Sequence, residues 1–455
     1  MIKKNDYAEL EVIDTTNLGA GIAKLEGLTV FVNGGVTGDR VRAKIIKVAK
    51  SYLVARIEEF IQRSSKRSDN VDCPVFSRCG GCAFRHVSYE YELEIKKNYV
   101  KSCMKKSGLD EVEVKDVLTT GKTCGYRNKI QYPVSSSGVG YYAAKSHEVI
   151  KSEKSCPLHD PVFDPVIEKI TEFIKENGIS VYDEVSGKGC VRHIYLRCTS
   201  GDDKKVMVCL VINAKSLKNA EELVRSLREI ESVSGIMLCH NMKSTNVILS
   251  EEFTLLWGSE YIVDDLLGLE FKISPLSFYQ VNHDGAELLY KTALDMAEIK
   301  KGDTLVDLFC GTGTIGLYMK KNSEAQRLVG VEIIEDAVKN ARENAKANGV
   351  ENAQFVCGDA NSSEIKGADI IVIDPPRKGA SPELVKQISE LSPRQVVYIS
   401  CDPATLARDM AIFKTFGYTA ESVTPVDMFP RTAHVESVVC LTRKRSKALC
   451  DFMGS

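Results

Sequence analysis

Between residues 8 and 61, apolar and polar positions alternate in short runs at Leu10–Ile13, Leu28–Val32, Val41–Val48 and Tyr52–Phe60. Glycine turns at Gly19–Gly21, Gly34-Gly35 and Gly38-Asp39 separate them. Period-two runs broken by such turns predict half-buried strands, and several in close succession fit a small Greek-key barrel. Residues 62–70 are polar and aperiodic, which marks a boundary. Helical spacing follows over Tyr89–Met104, with Leu93, Lys96-Lys97, Val100 and Met104 in step. From Gly125 to about residue 275 the pattern is strand-rich, with runs at Val191–Arg197, Val206–Ile212, Ile236–Cys239 and Asn246–Leu249.

From about Ser274, strand and helix alternate. Thr304–Phe309 reads as a buried strand, Cys310–Gly313 as a glycine turn, and Thr314–Lys320 as a helix. Leu328–Val331, a helix over Ile334–Asn348, and strands at Gln354–Val356, Ile370–Ile373, Val396–Ser400 and Ser437–Thr442 complete the series. Continuous β-branched runs alternating with amphipathic helices predict an α/β, Rossmann-like succession.

At 455 residues the chain exceeds one ordinary core, so two to four domains are expected. Fifteen cysteines in a chain without a signal-peptide pattern, and without an apolar run near 18 residues, point to a cytoplasmic protein with no membrane partner. In that compartment the cysteines serve as thiols, metal ligands or catalysts. Net charge is only −2, but residues 1–155 hold 26 Lys+Arg against 19 Asp+Glu, while residues 156–455 hold 34 against 43. A front of +7 on a body of −9 is compatible with phosphate contacts from the N-terminal part, and a solvated surface explains it equally. Arg127 and Lys129 share one face of an extended run, a spacing that suits two phosphates.

The candidate chemistry lies in Val396-Val397-Tyr398-Ile399-Ser400-Cys401-Asp402-Pro403. An apolar strand ending at Ser-Cys-Asp-Pro sets Cys401 at the carboxyl end of a parallel sheet, where ligands bind. A helix over Ala404–Phe413 would begin beside it, its positive end favouring thiolate. Upstream, Cys73, Cys79 and Cys82 crowd one short segment, and Cys156 is the best fourth ligand. Four thiolates suit tetrahedral zinc or a cubane iron–sulfur cluster. The turn Gly311-x-Gly313-x-x-Gly316 lets a ligand approach the backbone, and Glu332, 21 positions after Gly311, is placed to take ribose hydroxyls. A nicotinamide cofactor is one reading. Asp307 before the turn, Asp359 at the next strand's end and Asp374-Pro375-Pro376 beyond favour S-adenosylmethionine.

Gly19-x-Gly21-x-Ala23, Phe31-Val32 and Gly38-Asp39-x-Val41 resemble a TRAM domain, an OB-like RNA-binding module. Together with Gln280-Val281-Asn282, Asp307–Gly313, Asp374-Pro375-Pro376-Arg377, Ser400–Pro403 and His434-Val435-Glu436, the chain resembles the RNA (uracil-5-)-methyltransferases. Specifically, it is similar to the bacterial 23S ribosomal RNA members that carry a TRAM domain and a [4Fe-4S] cluster. The resemblance implies three domains. These are a barrel at 1–62, a central RNA-binding domain with the cluster at 63–275, and a methyltransferase domain at 276–455, with the helical part 89–124 as a candidate for docking on the last. It implies Cys73, Cys79, Cys82 and Cys156 as cluster ligands, favouring iron–sulfur over zinc. It further implies Gln280, Phe309, Glu332 and Asp374 as cofactor contacts beside Gly311 and Asp359, Cys401 as nucleophile and Glu436 as general base. The expected partner is RNA, foremost 23S ribosomal RNA, with no protein partner implied. A tRNA T-loop enzyme would share the catalytic residues. DNA methylation is a weaker reading, and an amino methyltransferase would have no use for Cys401. A non-catalytic RNA-binding or chaperone protein would not need Cys401 and Glu436 intact.

Overall fold

The computed structural model describes residues 2–361, 365 and 367–444. Its N-terminal sheet has six strands in the spatial order Tyr7–Glu11, Arg40–Val48, Tyr52–Gln62, Leu28–Asn33, Ala20–Leu25, Asp14–Thr15. Alternation sets the inside: Val41, Ala43 and Ile45 are buried while Arg40 and Arg42 face out. The strand Ala20–Leu25 differs from the expected turn at Gly19–Gly21. A Cβ on Gly21 would come within 2.7 Å of the Val12 side chain and 3.0 Å of the Gly35 backbone, so this glycine serves close approach within a strand.

The middle sheet runs Phe253–Gly258, Val233–His240, Val206–Ile212, Val191–Cys198, Lys129–Ser135, Gly138–Val139. Helices Asp164–Glu176 and Ala220–Leu227 cover one face, over Ile194, Leu196, Val208 and Leu210. The other face, carrying Tyr195, Met207, Cys209 and Val211, packs into the same core as helix His283–Met296. Burial on both faces explains why these strands read as continuous apolar runs. Asn246–Leu249, read as a strand, is instead a loop. Its carbonyls are taken by side chains: Asn241 Nδ2 donates to Val247 O (2.7 Å) and Ile248 O (3.0 Å), leaving no free ladder edge.

The C-terminal sheet places Ala353–Cys357, Arg327–Glu332, Thr304–Leu308, Ile370–Ile373 and Gln395–Ser400 in parallel. Glu436–Arg443 follows, antiparallel to Gln395–Ser400, and Ser422–Val426 is antiparallel to it in turn. Glu113–Val114 adds to the edge of Ser422–Val426 in parallel. Helices His283–Met296, Thr314–Lys321 and Glu335–Ala347 lie on one face. Pro382–Leu391, Pro403–Thr415 and Tyr89–Lys106 lie on the other, the last through Val100, Cys103 and Met104. Hairpin Ile262–Leu266/Leu269–Ile273 hydrogen-bonds to the helix region near Asn344 and Asn348. Among the described residues, no helix is long and apolar enough to cross a membrane.

Candidate active site

All five parallel strands end at the same rim, and each contributes a side chain or a turn there. Ser400 pairs with Ser437, so the next residue of one strand, Cys401, stands across from the preceding residue of the other, Glu436. Only an antiparallel strand delivers its first residue to the rim where parallel strands finish. Asp374 follows Ile373 on the neighbouring strand and is close enough to raise both the Cys401 and Glu436 protonation equilibria.

The electrostatics are those of an enclosed acidic site. Burial pushes the Glu436 carboxyl up to about 8, helped by Asp374 and opposed by Arg377. Burial alone lifts Asp374 to about 7. Asp307 rises to about 8, first from burial, then from Asp374 and Glu332, although it accepts a 2.9 Å bond from Gly316 N. Its other oxygen, Oδ1, has no partner. A Cβ on Gly316 would lie 2.7 Å from Asp307 Oδ2, so glycine is needed for helix and strand to meet here. Such buried carboxyls favour a cation among them, as the sulfonium and ammonium of S-adenosylmethionine would supply.

Cys401 departs from expectation. Rather than favouring thiolate, its surroundings push the thiol up to about 11, through burial first, then Glu436 and Asp374. The helix Pro403–Thr415 does begin beside it, but Asp402 Oδ1 caps that end, accepting from Ala404 N (2.8 Å) and Thr405 N (3.1 Å). The positive end is spent on the Asp402 carboxylate. Arg377 is the cation that pulls Cys401 and Glu436 down, and its Nη2 lies 3.5 Å from His434 Nε2.

The cofactor candidates gather along the same rim. Phe309 has φ of +64°, a conformation a bulky residue adopts only under constraint, and its side chain is half-buried. Gly311 N donates to Glu332 Oε2 (3.0 Å) and Ile334 N to Glu332 Oε1 (2.9 Å), fixing the carboxylate at the strand end. Gln280 approaches Tyr290, and its carbonyl accepts from Asn128 Nδ2 at 3.0 Å. Asp359 is exposed and accepts from the Asn361 backbone at 2.9 Å. Asn282 caps helix His283–Met296 and donates to Met428 O at 2.8 Å.

Arg127 and Lys129 are both half-buried, and Arg197, which pairs with Lys129 in the sheet, is buried, its Nη1 donating to Ser277 O at 3.0 Å. Burial, then Arg197 and Arg127, lowers Lys129 to about 8. Arg127 bridges both His159 and Asn282, linking the Cys156 segment to the rim.

The four cysteines are all half-buried and interact electrostatically. Cys79 responds to Cys156 and Cys73, and Cys82 to Cys156 and Cys79. Burial, with the other thiols adding to it, lifts Cys82 to about 11. Arg85 opposes this, its Nε donating to Cys82 Sγ at 3.4 Å. Gly81 N donates to Cys79 Sγ at 3.4 Å. Among the described residues, no three His, Cys, Asp or Glu side chains are arranged to hold a single metal ion.

Comparison with known proteins matches residues 4–57 to the TRAM domain and residues 299–424 to a methyltransferase domain. Similar curated proteins include an uncharacterized RNA methyltransferase of Clostridium acetobutylicum, 40% identical over 97% of this chain and 98% of that one. An uncharacterized RNA methyltransferase of Clostridium tetani is 38% identical over 97% of both chains. Among solved structures, the tRNA (uracil-54, C5)-methyltransferase of Pyrococcus abyssi in complex with S-adenosyl-L-homocysteine superposes with a TM-score of 0.78. It is 28% identical, covering 95% of this chain and 100% of that one.

Proposed function

The chain belongs to the RNA methyltransferases, and from that premise we propose that it methylates carbon 5 of uridine in 23S ribosomal RNA with S-adenosylmethionine as donor. The observation that carries the uracil chemistry is the thiol of Cys401 facing the carboxyl of Glu436 across an antiparallel pair, with Asp374 beside both. Carbon 5 of uracil is a weak nucleophile. Cys401, its proton lost to solvent, adds as thiolate to carbon 6 and shifts the double-bond pair into an enolate whose carbon 5 takes the methyl group. Glu436 then removes the carbon 5 proton, the double bond re-forms and the thiolate leaves. A carboxyl near 8 is a base matched to neutral pH.

The bound cofactor supplies an electrophilic methyl group. Gln280, Phe309, Gly311, Glu332, Asp359 and Asp374 line its place, with Glu332 positioned for ribose hydroxyls and the acidic rim for positive charge. Arg127 and Lys129 hold RNA phosphates, and the target base must leave any helix to reach Cys401. We retain the division at 62/63 and 275/276, with Tyr89–Val114 and the hairpin at 262–273 making contacts across the second boundary.

A tRNA substrate is the second reading, because the Pyrococcus abyssi structure is of a tRNA enzyme. Transfer of labelled methyl from S-adenosylmethionine to unmodified 23S ribosomal RNA and to tRNA transcripts, followed by mapping, separates them. Label on carbon 5 of uridine in the ribosomal transcript is expected, and label in tRNA alone would replace it with the second reading.

Cys73, Cys79, Cys82 and Cys156 hold a [4Fe-4S] cluster in this proposal. A cubane takes one thiolate at each of its four irons, and these thiols lie within electrostatic reach of one another. Protein isolated without oxygen is expected to contain iron and acid-labile sulfide, and stoichiometric zinc without iron would overturn the cluster.

A further inference from the structure

Lys96 is 2% exposed, and the sequence pattern shows it only as one step of a helix. Its Nζ donates to Glu92 Oε1 and Asp427 Oδ1, both at 2.7 Å, and to Phe429 O at 3.3 Å, with both carboxylates fully buried. Asp427 opens the segment 427–435, which joins Ser422–Val426 to Glu436–Arg443 and so delivers Glu436 to the rim. Five consecutive residues of that segment are bonded to other elements. Tyr89 Oη donates to Asp427 Oδ2 (2.9 Å), Asn282 Nδ2 to Met428 O (2.8 Å), Lys96 to Phe429 O, and Tyr126 Oη to Pro430 O (2.9 Å). Arg431, held at φ of +70°, donates its backbone N–H to Glu92 Oε1 at 2.7 Å. Its carbonyl accepts from Ala83 N (2.8 Å) and Phe84 N (3.1 Å), the residues directly after Cys82.

A lysine between two carboxylates in a dry site is too costly to serve as filler, and removing one partner strands the other charges. We propose that Lys96 is a positioning residue for Glu436, locking segment 427–435 between helix Tyr89–Lys106 and the cysteine loop so that the carboxyl faces Cys401. This rests on Glu436 acting as the base. Lys96 reaches no reacting atom, so addition of Cys401 and cofactor binding do not depend on it. Proton removal from carbon 5 does.

The test uses the full-length protein carrying Lys96→Met, and also the double variant Lys96→Met/Asp427→Asn. The double variant removes one charge of each sign and leaves Glu92 with Arg431, so it keeps the fold even if the single variant does not. Turnover on the RNA transcript is expected to fall about 100-fold, within the range of a lost general base. S-adenosylmethionine affinity by calorimetry is expected to stay within about twofold. An RNA–protein adduct resistant to denaturation is expected to accumulate, as it should in Glu436→Gln. A purely structural lysine would cost activity without trapping that adduct. An adduct in Glu436→Gln but in neither Lys96 variant, or unchanged turnover in the double variant, overturns the positioning. No adduct in Glu436→Gln overturns the base itself, and the positioning with it.

Discussion

Cys401→Ala is expected to abolish methyl transfer, lowering turnover by at least about 10⁴-fold, while leaving S-adenosylmethionine bound. Without the thiol nothing adds to carbon 6, and carbon 5 never becomes nucleophilic enough to take a methyl group. The residues proposed to hold the cofactor lie on other strands: Gly311 and Glu332 are fixed to each other, and Asp374 directly follows Ile370–Ile373, so none depends on sulfur at position 401. Calorimetric titration of the cofactor alongside labelled methyl transfer reads both halves. Turnover at the normal rate would exclude Cys401 as nucleophile and return it to the status of an inert thiol.

Glu436→Gln is expected to divide the reaction at a different point. The thiol can still add and the methyl group can still move, but the carbon 5 proton stays in place and the enzyme remains joined to its product. A denaturing gel should show an RNA–protein band that requires both cofactor and Cys401 and is missing from the double variant. Steady-state turnover should fall about 10²-fold to 10⁴-fold. The pH dependence follows from the shifts at the site. Wild-type activity needs ionised Glu436, so it should rise with pH toward about 8. The Glu436 carboxylate is, after burial, a leading cause of the raised Cys401 thiol, so glutamine should let adduct formation proceed at lower pH than in the wild type. Stability moves in a matching direction. A carboxyl raised from 4.5 to about 8 on folding contributes stability fully below the unfolded value and loses it as pH rises through the folded one. Melting temperatures of the ligand-free glutamine variant should therefore exceed the wild type at pH 9 and draw level near pH 4. Wild-type turnover by Glu436→Gln would leave the nucleophile standing and require another base.

The buried pin at Lys96 connects these expectations to the cysteine loop. Ala83 and Phe84 hold Arg431 O, and a Cβ on Gly19 would lie 2.2 Å from Ala83 O, so the barrel, the cysteine loop and the segment leading to Glu436 form one packed line. A change in the loop at Cys82 would therefore reach the segment leading to Glu436 through Ala83 and Phe84.

What the sequence determined by itself was whatever has a short period or a local spacing. Alternation placed Val41, Ala43 and Ile45 inside the barrel, and β-branched runs located Ile370–Ile373 and Gln395–Ser400. Glycines marked the turn at 311–313, with φ of +54° and +83° at its two glycines. The spacing from Gly311 set Glu332 at the next strand's end as a candidate for ribose hydroxyls, and there the structure bonds its carboxylate to Gly311 N. These signals survive because one side chain's position in a strand or turn depends on its near neighbours. The tertiary structure alone decided the rest. The opposition of Cys401 and Glu436 depends on the register of two antiparallel strands, and Lys96 meets Asp427 across 331 residues of chain. Neither leaves a local trace, apart from a lysine four positions after Glu92 on a partly apolar helix, which reads as an ordinary surface pair. The protonation of Cys401 could not be read either. A helix start predicts a thiolate, but desolvation and the carboxyls of Glu436 and Asp374 come from elsewhere in the chain, and burial sums over every element that packs against a group.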